Sequence, residues 1–342
     1  WLSSALLMGD ASPLDTVVPA LSEIMSTHAT RKPAVAIACA RLATMLYMAD
    51  RRDIANTMFQ LAATYEAEVS TKDPSVRVRV LEARVVHSFV AGDLARAVSL
   101  AEELIRGLTD LGDVRSMALA RSNQGVALNA MGAYSEAERT LRAGLEAAEP
   151  LGLARILCVI QQNLGFSLAH TGRLEEAQGL LSRSIRESIL QRNRRFEAGA
   201  RVYLAIAALY ARKLEIADAE ARAAADAMGT SSVGVYALGA LALSEIMRGR
   251  LEEAKVTVTR ALNAMEALGG AIEEGEGIAR LAHIELLVAL GDEVGARHAL
   301  GIAKESLVGR ANMISNPEWR RSFLEVVPEH KRTMDLAAHY RI

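Results

Sequence analysis

A six-residue pattern recurs along this chain, and its spacing limits the fold more than any other feature. Gly92-Asp93-Leu94-Ala95-Arg96-Ala97 is echoed by Gly132-Ala133-Tyr134-Ser135-Glu136-Ala137. Gly172-Arg173-Leu174-Glu175-Glu176-Ala177 is then repeated residue for residue by Gly249-Arg250-Leu251-Glu252-Glu253-Ala254. Weaker copies are Arg212-Lys213-Leu214-Glu215-Ile216-Ala217 and Gly291-Asp292-Glu293-Val294-Gly295-Ala296, and the weakest ends at Ala55. The closing alanines stand at 55, 97, 137, 177, 217, 254 and 296, which gives steps of 42, 40, 40, 40, 37 and 42. Self-similarity at a near-constant step of this size marks a repeat architecture.

Each part of the pattern has a physical reason. Glycine ends a first helix by taking a left-handed conformation that other residues resist. The turn is short, so the next helix runs back antiparallel, and the alanine keeps it thin where the two backbones approach. Apolar residues follow at helical spacing, as in Ala137, Leu141 and Leu145 or Ala177, Leu181 and Ile185. On the preceding helix another small residue stands twelve positions before the alanine: Gly125, Gly165, Ala205 and Ala242. The pattern predicts helix pairs near 34–69, 75–110, 114–148, 152–191, 194–228, 232–267 and 271–306. Residues 13–27 read as an extra amphipathic helix, and Pro317–Phe323 and Pro328–His339 as short capping helices. Composition agrees: 51% of residues are hydrophobic but only 4% aromatic, the difference being Ala and Leu, which lose little freedom in a helix.

The spacing of Leu164-Gly165, Leu168, Gly172, Leu174, Ala177 and Leu181 resembles the tetratricopeptide repeat, and the resemblance covers about residues 33–305. Its usual unit has about 34 residues, so the helices or inter-repeat loops are longer here. Longer units of this kind resemble the repeats of kinesin light chains and of the sensor regions of large bacterial ATPase regulators. The resemblance implies an all-α chain, a right-handed α-solenoid of about seven helix pairs with terminal capping helices. The domain reading is an N-terminal helix and linker over 1–32, the solenoid over 33–310 and capping helices over 311–342. Trp319-Arg320-Arg321-Ser322-Phe323-Leu324 with Val327-Pro328-Glu329-His330 is similar to the closing segment of bacterial Ser/Thr kinase or ATPase signalling proteins, which implies such a parent. The chain opens on Trp1 rather than Met, as a fragment or processed polypeptide would.

Charge and motifs narrow the function. A net charge of −2 gives no electrostatic case for nucleic acid, and no run long enough to cross a membrane is present. The first residues lack a basic stretch ahead of their apolar ones, which argues against a signal peptide. Cys39 and Cys158 are too few for a disulfide framework and fit a cytoplasmic chain. Phosphate-loop, dinucleotide, zinc and nucleophile-elbow motifs are missing. Cys158 and His170 are twelve residues apart on one expected helix, over three turns, too far for a dyad. No catalytic residue, cofactor or metal site is expected, and the reading is of a binding protein. Arg183, Arg186, Arg192, Arg194 and Arg195 form a basic cluster that either meets an acidic partner or pairs with nearby Glu on a solvated face. Glu273-Glu274-Gly275-Glu276 reads as an acidic first helical turn.

Stacked helix pairs curve, and the first helix of each lines the concave side. The position fourteen residues before each signature alanine, which the family points into the groove, holds Arg41, Ala83, Asn123, Asn163, Tyr203, Ala240 and Ala282. A carboxamide both donates and accepts, so Asn123 and Asn163 could pair with the backbone of an extended peptide, as the resemblance implies; equally, each could bridge to a neighbouring helix. By the same register, Gln162, Phe166, His170, Asn129, Phe89, Tyr210 and Tyr236 complete a candidate peptide groove, although Phe and Tyr also serve inter-repeat packing. The expected function is a protein- or peptide-binding scaffold or regulatory module of a larger bacterial signalling protein. The rivals are a small-molecule sensor controlling an attached ATPase or kinase, which would need a closed pocket, and a self-association module.

Overall fold

The computed structural model describes residues 32–48, 51–69, 74–270, 272 and 274–342, with positions 16, 19, 20 and 23 near the N-terminus. The helix expected over 13–27 and the linker to 32 lie almost wholly outside the described residues, as does Glu273. Sixteen α-helices and no strand occur among the described residues. They are α1 Lys32–Met48, α2 Arg52–Val69, α3 Pro74–Val90, α4 Leu94–Asp110, α5 Val114–Ala130, α6 Tyr134–Ala148, α7 Ala154–His170 and α8 Leu174–Leu190. There follow α9 Arg194–Tyr210, α10 Leu214–Met228, α11 Ser232–Met247, α12 Leu251–Ala267, α13 Glu276–Ala289, α14 Glu293–Met313, α15 Pro317–Glu325 and α16 Pro328–Tyr340. The fold is an all-α helical-repeat array of the tetratricopeptide type.

The repeat has a shorter inner period than the alanines reveal. Left-handed residues stand at Gly92, Gly112, Gly132, Gly152, Gly172, Arg192 and Arg212, one every twenty positions. The turns between pairs and those within pairs are thus of one kind. In each, the amide three places past the helix reaches back to a carbonyl five residues earlier: Asp93 to Ser88, Ala133 to Leu128, Arg173 to Leu168, Asn193 to Ser188 and Lys213 to Ala208, all at 2.9 Å. This is the Schellman closure, which satisfies carbonyls orphaned at a helix end. Helices α3, α4, α5, α7, α8 and α9 have 17 residues each. The extra length over the usual unit therefore lies in the helices and not in the loops.

The chain divides into two compact units, residues 1–124 and 125–342. In the first, Leu42, Leu46, Met58, Val76 and Val80 form one core and Leu81, Val85, Leu104 and Leu108 another. Arg79 ties α3 to the turn before α5 through Asp113 at 2.7 Å. Phe89 and Asn123 belong to this unit, and both are half-buried.

In the second unit the small positions face their helices as the pattern requires. A Cβ on Gly125 would stand within 2.9 Å of all the branch atoms of Leu141, and one on Gly165 within 2.7 Å of Leu181. Ala137, Ala177, Ala217, Ala254 and Ala296 are completely buried. Arg142 and Arg173 each bridge Glu138 and Glu176 at 2.7–2.8 Å, joining successive second helices. The last pair departs from the expected 271–306. Three left-handed glycines, Gly269, Gly270 and Gly275, hold off the start of α13 until Glu276. Helix α14 runs on to Met313 because Ala303, Leu307 and Ala311 stay buried along it. Helix α16 then covers this pair, packing Leu336 and Ala337 on Leu281, Ile284 and Leu300.

The turns give a prediction of opposite signs. At Gly172 nothing lies within 4 Å of where a Cβ would sit, so only backbone conformation opposes a side chain. Gly172→Ala is expected to lower stability by about 1 kcal/mol. Arg212→Gly relieves a left-handed arginine and is expected to raise it by less, because glycine also loosens the unfolded chain. Urea denaturation midpoints of the two variants test this; a stabilised Gly172→Ala would refute the role given to the turns.

Candidate functional site

The functional side chains of the second unit gather around a line of aromatic rings. Tyr134 opens α6, while Phe166, Tyr203 and Tyr236 come from α7, α9 and α11, the first helices of successive pairs. Ring centroids are 6.4 Å apart for Tyr134–Phe166, 4.3 Å for Phe166–Tyr203 and 6.1 Å for Tyr203–Tyr236. His170, one turn beyond Phe166, stacks on Tyr134 at 4.3 Å and meets Tyr210 edge-on at 5.1 Å. The sequence reading had placed five of these six together. Tyr134 was seen only as part of a repeat copy, yet other copies carry Leu94, Leu174, Leu214 and Leu251 there, and that departure is the signal that could have found it.

The histidine's state follows from its partners. Its Nδ1 lies 2.9 Å from the Phe166 carbonyl, which can only accept, so Nδ1 carries the proton. Nε2 is then the acceptor for the Tyr210 hydroxyl at 3.0 Å. Burial pushes the pKa of His170 down to about 4, against the pull of the Phe166 carbonyl. The imidazole is neutral at physiological pH.

Asn129 is spent inside the stack. Asn129 donates from Nδ2 to the Asn163 carbonyl at 3.1 Å, and its oxygen accepts from Ser167 Oγ at 2.7 Å. Asn163 is 3% exposed, which closes its carboxamide to any ligand in this conformation. Gln162 points at α9, where a Cβ on Gly199 would come within 2.6 Å of its Nε2. Phe89 and Asn123 belong to the first unit.

The groove in front of the rings is closed by the C-terminal helices, which sequence reading took for a cap. Trp319 donates from Nε1 to Glu136 at 3.4 Å, and a Cβ on Gly132 would meet Ser322 and Val327 within 3.2 Å. What remains is a cavity of about 50 Å³. Asn129, Tyr134, Phe166, Tyr203 and Tyr236 form one side, Glu274, Gly275, Gly277 and Arg310 another, and Val327, Glu329 and His330 the tail side. One water needs about 10–15 Å³ on this measure, so the space holds a few waters or one small group. Tyr203 donates to Glu274 at 3.2 Å, while the buried Tyr134 hydroxyl has no partner among the described residues. Burial pushes the Tyr134, Tyr210 and Tyr236 hydroxyls far above the ordinary range, and the Glu329 charge adds to all three. Burial also raises the Glu329 carboxyl, despite Arg310 and its own backbone N–H.

Elsewhere, Arg183, Arg186, Arg192 and Arg194 are exposed and join no ion pair among the described residues, while Arg195 is half-buried. Cys158 is buried against Ser184 and Ser188. Among the described residues no group of His, Cys, Asp and Glu could hold a metal ion, and no helix is long and apolar enough to cross a membrane.

No protein-family model and no curated protein sequence matches the chain. Solved structures do. The chain is similar to a Rap protein complexed with the competence and sporulation factor, with a TM-score of 0.70 and 13% identity over 99% of this chain and 96% of that one. It is also similar to NprR in complex with its cognate peptide NprX, with a TM-score of 0.65 and 15% identity over 99% and 96% of the two chains. A third is the Rap conjugation gene regulator of plasmid pLS20 in complex with the Phr* peptide, with a TM-score of 0.60 and 12% identity over 85% of each chain. At these identities the likeness is one of fold.

The neutral histidine predicts a pH dependence. A histidine whose folded pKa of about 4 lies below its ordinary 6.5 contributes stability in full above pH 6.5 and loses it as pH falls toward 4. His330, pushed down to about 3, adds in the same direction. Urea midpoints are expected to drop between pH 7 and 4.5, and His170→Gln should drop less over that interval. An equal drop in the variant would show that His170 is not held neutral.

Proposed function

We propose that this chain is a peptide-binding regulatory protein of the cytoplasm, and that its second unit takes the peptide along the Tyr134–Phe166–Tyr203–Tyr236 line. The observation that carries the reading is this row of rings, three on successive first helices and Tyr134 at the start of α6, in a chain where aromatics are only 4% of residues. Aromatic side chains give large contact area at low entropic cost and dominate interface energetics. The fold neighbours support it, since three of them were solved with a peptide or factor bound. One neighbour is described as a conjugation gene regulator and NprR as a quorum sensor, so the reading does not require an attached kinase or ATPase.

A cavity of about 50 Å³ does not hold a peptide. Binding therefore requires Val327–His330 to give way, and the mechanism is displacement of the tail by mass action. No reacting group is asked of the protein. The same closed cavity favours one rival, a small-molecule sensor, because a compact ligand would fit without moving the tail.

Selection of full-length protein against a random peptide library tests the reading. Enriched peptides are expected to bind wild type and to lose about tenfold or more with Tyr203→Ala or Phe166→Ala, variants checked for folding by circular dichroism. Enriched peptides indifferent to both substitutions would place binding elsewhere. A library that enriches nothing, alongside a small molecule that raises the melting temperature, would favour the sensor.

A further inference from the structure

The half-buried Glu329 carboxylate faces the cavity from the start of α16. It shares the cavity with Tyr134, Tyr203 and Tyr236, from three different helices, and its charge raises the Tyr134, Tyr210 and Tyr236 hydroxyls. The other charged groups there are accounted for. Arg310 lies 3.6 Å from Glu276, which also takes Arg280 at 2.8 Å and Ser306 at 2.7 Å. Glu274 accepts from Tyr203. His330 donates Nδ1–H to the Phe323 carbonyl at 2.8 Å and is neutral, so it offers Glu329 no charge. Burial nonetheless raises the Glu329 carboxyl, so the positive charge of Arg310, which also faces Glu276, offsets only part of what its ionised form loses on burial.

The cavity has what a cation would supply against. Aromatic faces attract an ammonium or guanidinium, most strongly where water is excluded. The Tyr134 hydroxyl, on a residue 5% exposed and without a partner among the described residues, is a second polar group with an unfilled bond at the same space. The volume of about 50 Å³ suits one charged head group and excludes a side chain entered broadside.

We propose that this cavity is a cation subsite, in which Glu329 and the rings of Tyr134, Phe166, Tyr203 and Tyr236 receive the ammonium or guanidinium group of the ligand. The proposal rests on the reading of the groove as a peptide site and adds the chemistry of one recognised group. That group is either a Lys or Arg side chain or the free amino terminus of the peptide. Glu329 is the specificity-determining residue, and because it sits on the tail, the tail becomes part of the bound state once it has shifted to admit the peptide.

The test uses full-length protein and peptides selected as above, each remade with its Lys and Arg replaced by norleucine and citrulline, and separately with an acetylated amino terminus. Calorimetric Kd values are compared between wild type and Glu329→Gln, whose melting is checked. One neutralised form is expected to bind wild type about tenfold more weakly, with the difference shrinking toward none in Glu329→Gln. Which form is affected tells the side chain from the terminus. Peptides that bind without preference for either cation, or equally well to both proteins, would overturn the subsite and leave the groove reading standing. If no peptide binds, the groove reading falls, and agmatine and n-butylamine then decide the subsite. Binding of either to wild type but not to Glu329→Gln upholds it, and binding of neither overturns it.

Discussion

The left-handed residue that returns every twenty positions is the constraint on which the rest of this molecule depends. It ends six helices at 17 residues each and reverses the chain with the same kind of hydrogen bond. A 17-residue helix is about 25 Å long, and seven consecutive reversals leave little room for irregular connections. The signature alanines follow from it, because helices returned so directly must pass with little between them. So do the facing glycines, whose missing side chains are filled by Leu141 and Leu181. Even the two exceptions obey the rule. Arg192 and Arg212 adopt the conformation although their side chains oppose it.

This explains what could be read from residues alone. Turn, alanine and facing small residue lie within twenty positions of one another, and local chemistry determines them. The helices were accordingly visible to within a residue or two along most of the chain. The inner twenty-residue period was hidden because the turns between pairs lack the alanine that flags those within pairs. Five members of the aromatic cluster could also be read, since repeat register carries one face forward from helix to helix. Tyr203 matches Asn163 by register, yet its ring lies on Phe166, three residues on and the same face of the helix.

Two features could not be read, for different reasons. A carboxamide in a groove position looks the same whether it faces a ligand or a neighbouring helix, and only packing decides. Here Asn129 takes both the Asn163 carbonyl and Ser167, so this amide holds the stack together instead of facing a ligand. The tail was opaque because its partners are remote. Trp319 and Glu136 are separated by 183 residues, and no periodicity links them. Amphipathic pattern showed that α15 and α16 must lie on something, without saying that Val327, Glu329 and His330 would reach the rings.

Under the proposed reading, closure by the tail also sets the terms on which a ligand would be recognised. Few of the groove's own polar groups are left to discriminate: Asn129 is engaged within the stack and His170 is neutral with both nitrogens engaged, which leaves the Tyr134 hydroxyl and Gln162 Oε1. An apolar ligand would then find rings and no discrimination beyond shape. Charge enters the cavity chiefly from outside the stack, through Glu329 on the tail and Glu274 and Arg310 near the last repeat. Recognition and closure therefore fall on the same segment. When the competent state is only a fraction of the population, apparent affinity falls by that fraction. Packing of Val327 against the Gly132 turn and the Trp319–Glu136 bond favour the closed state. A ligand that only filled the groove would work against them, whereas one that also engaged Glu329 would recover part of what opening the tail costs. On the proposed reading, the segment that would keep poor ligands out is in this way the one that would let a matching ligand in.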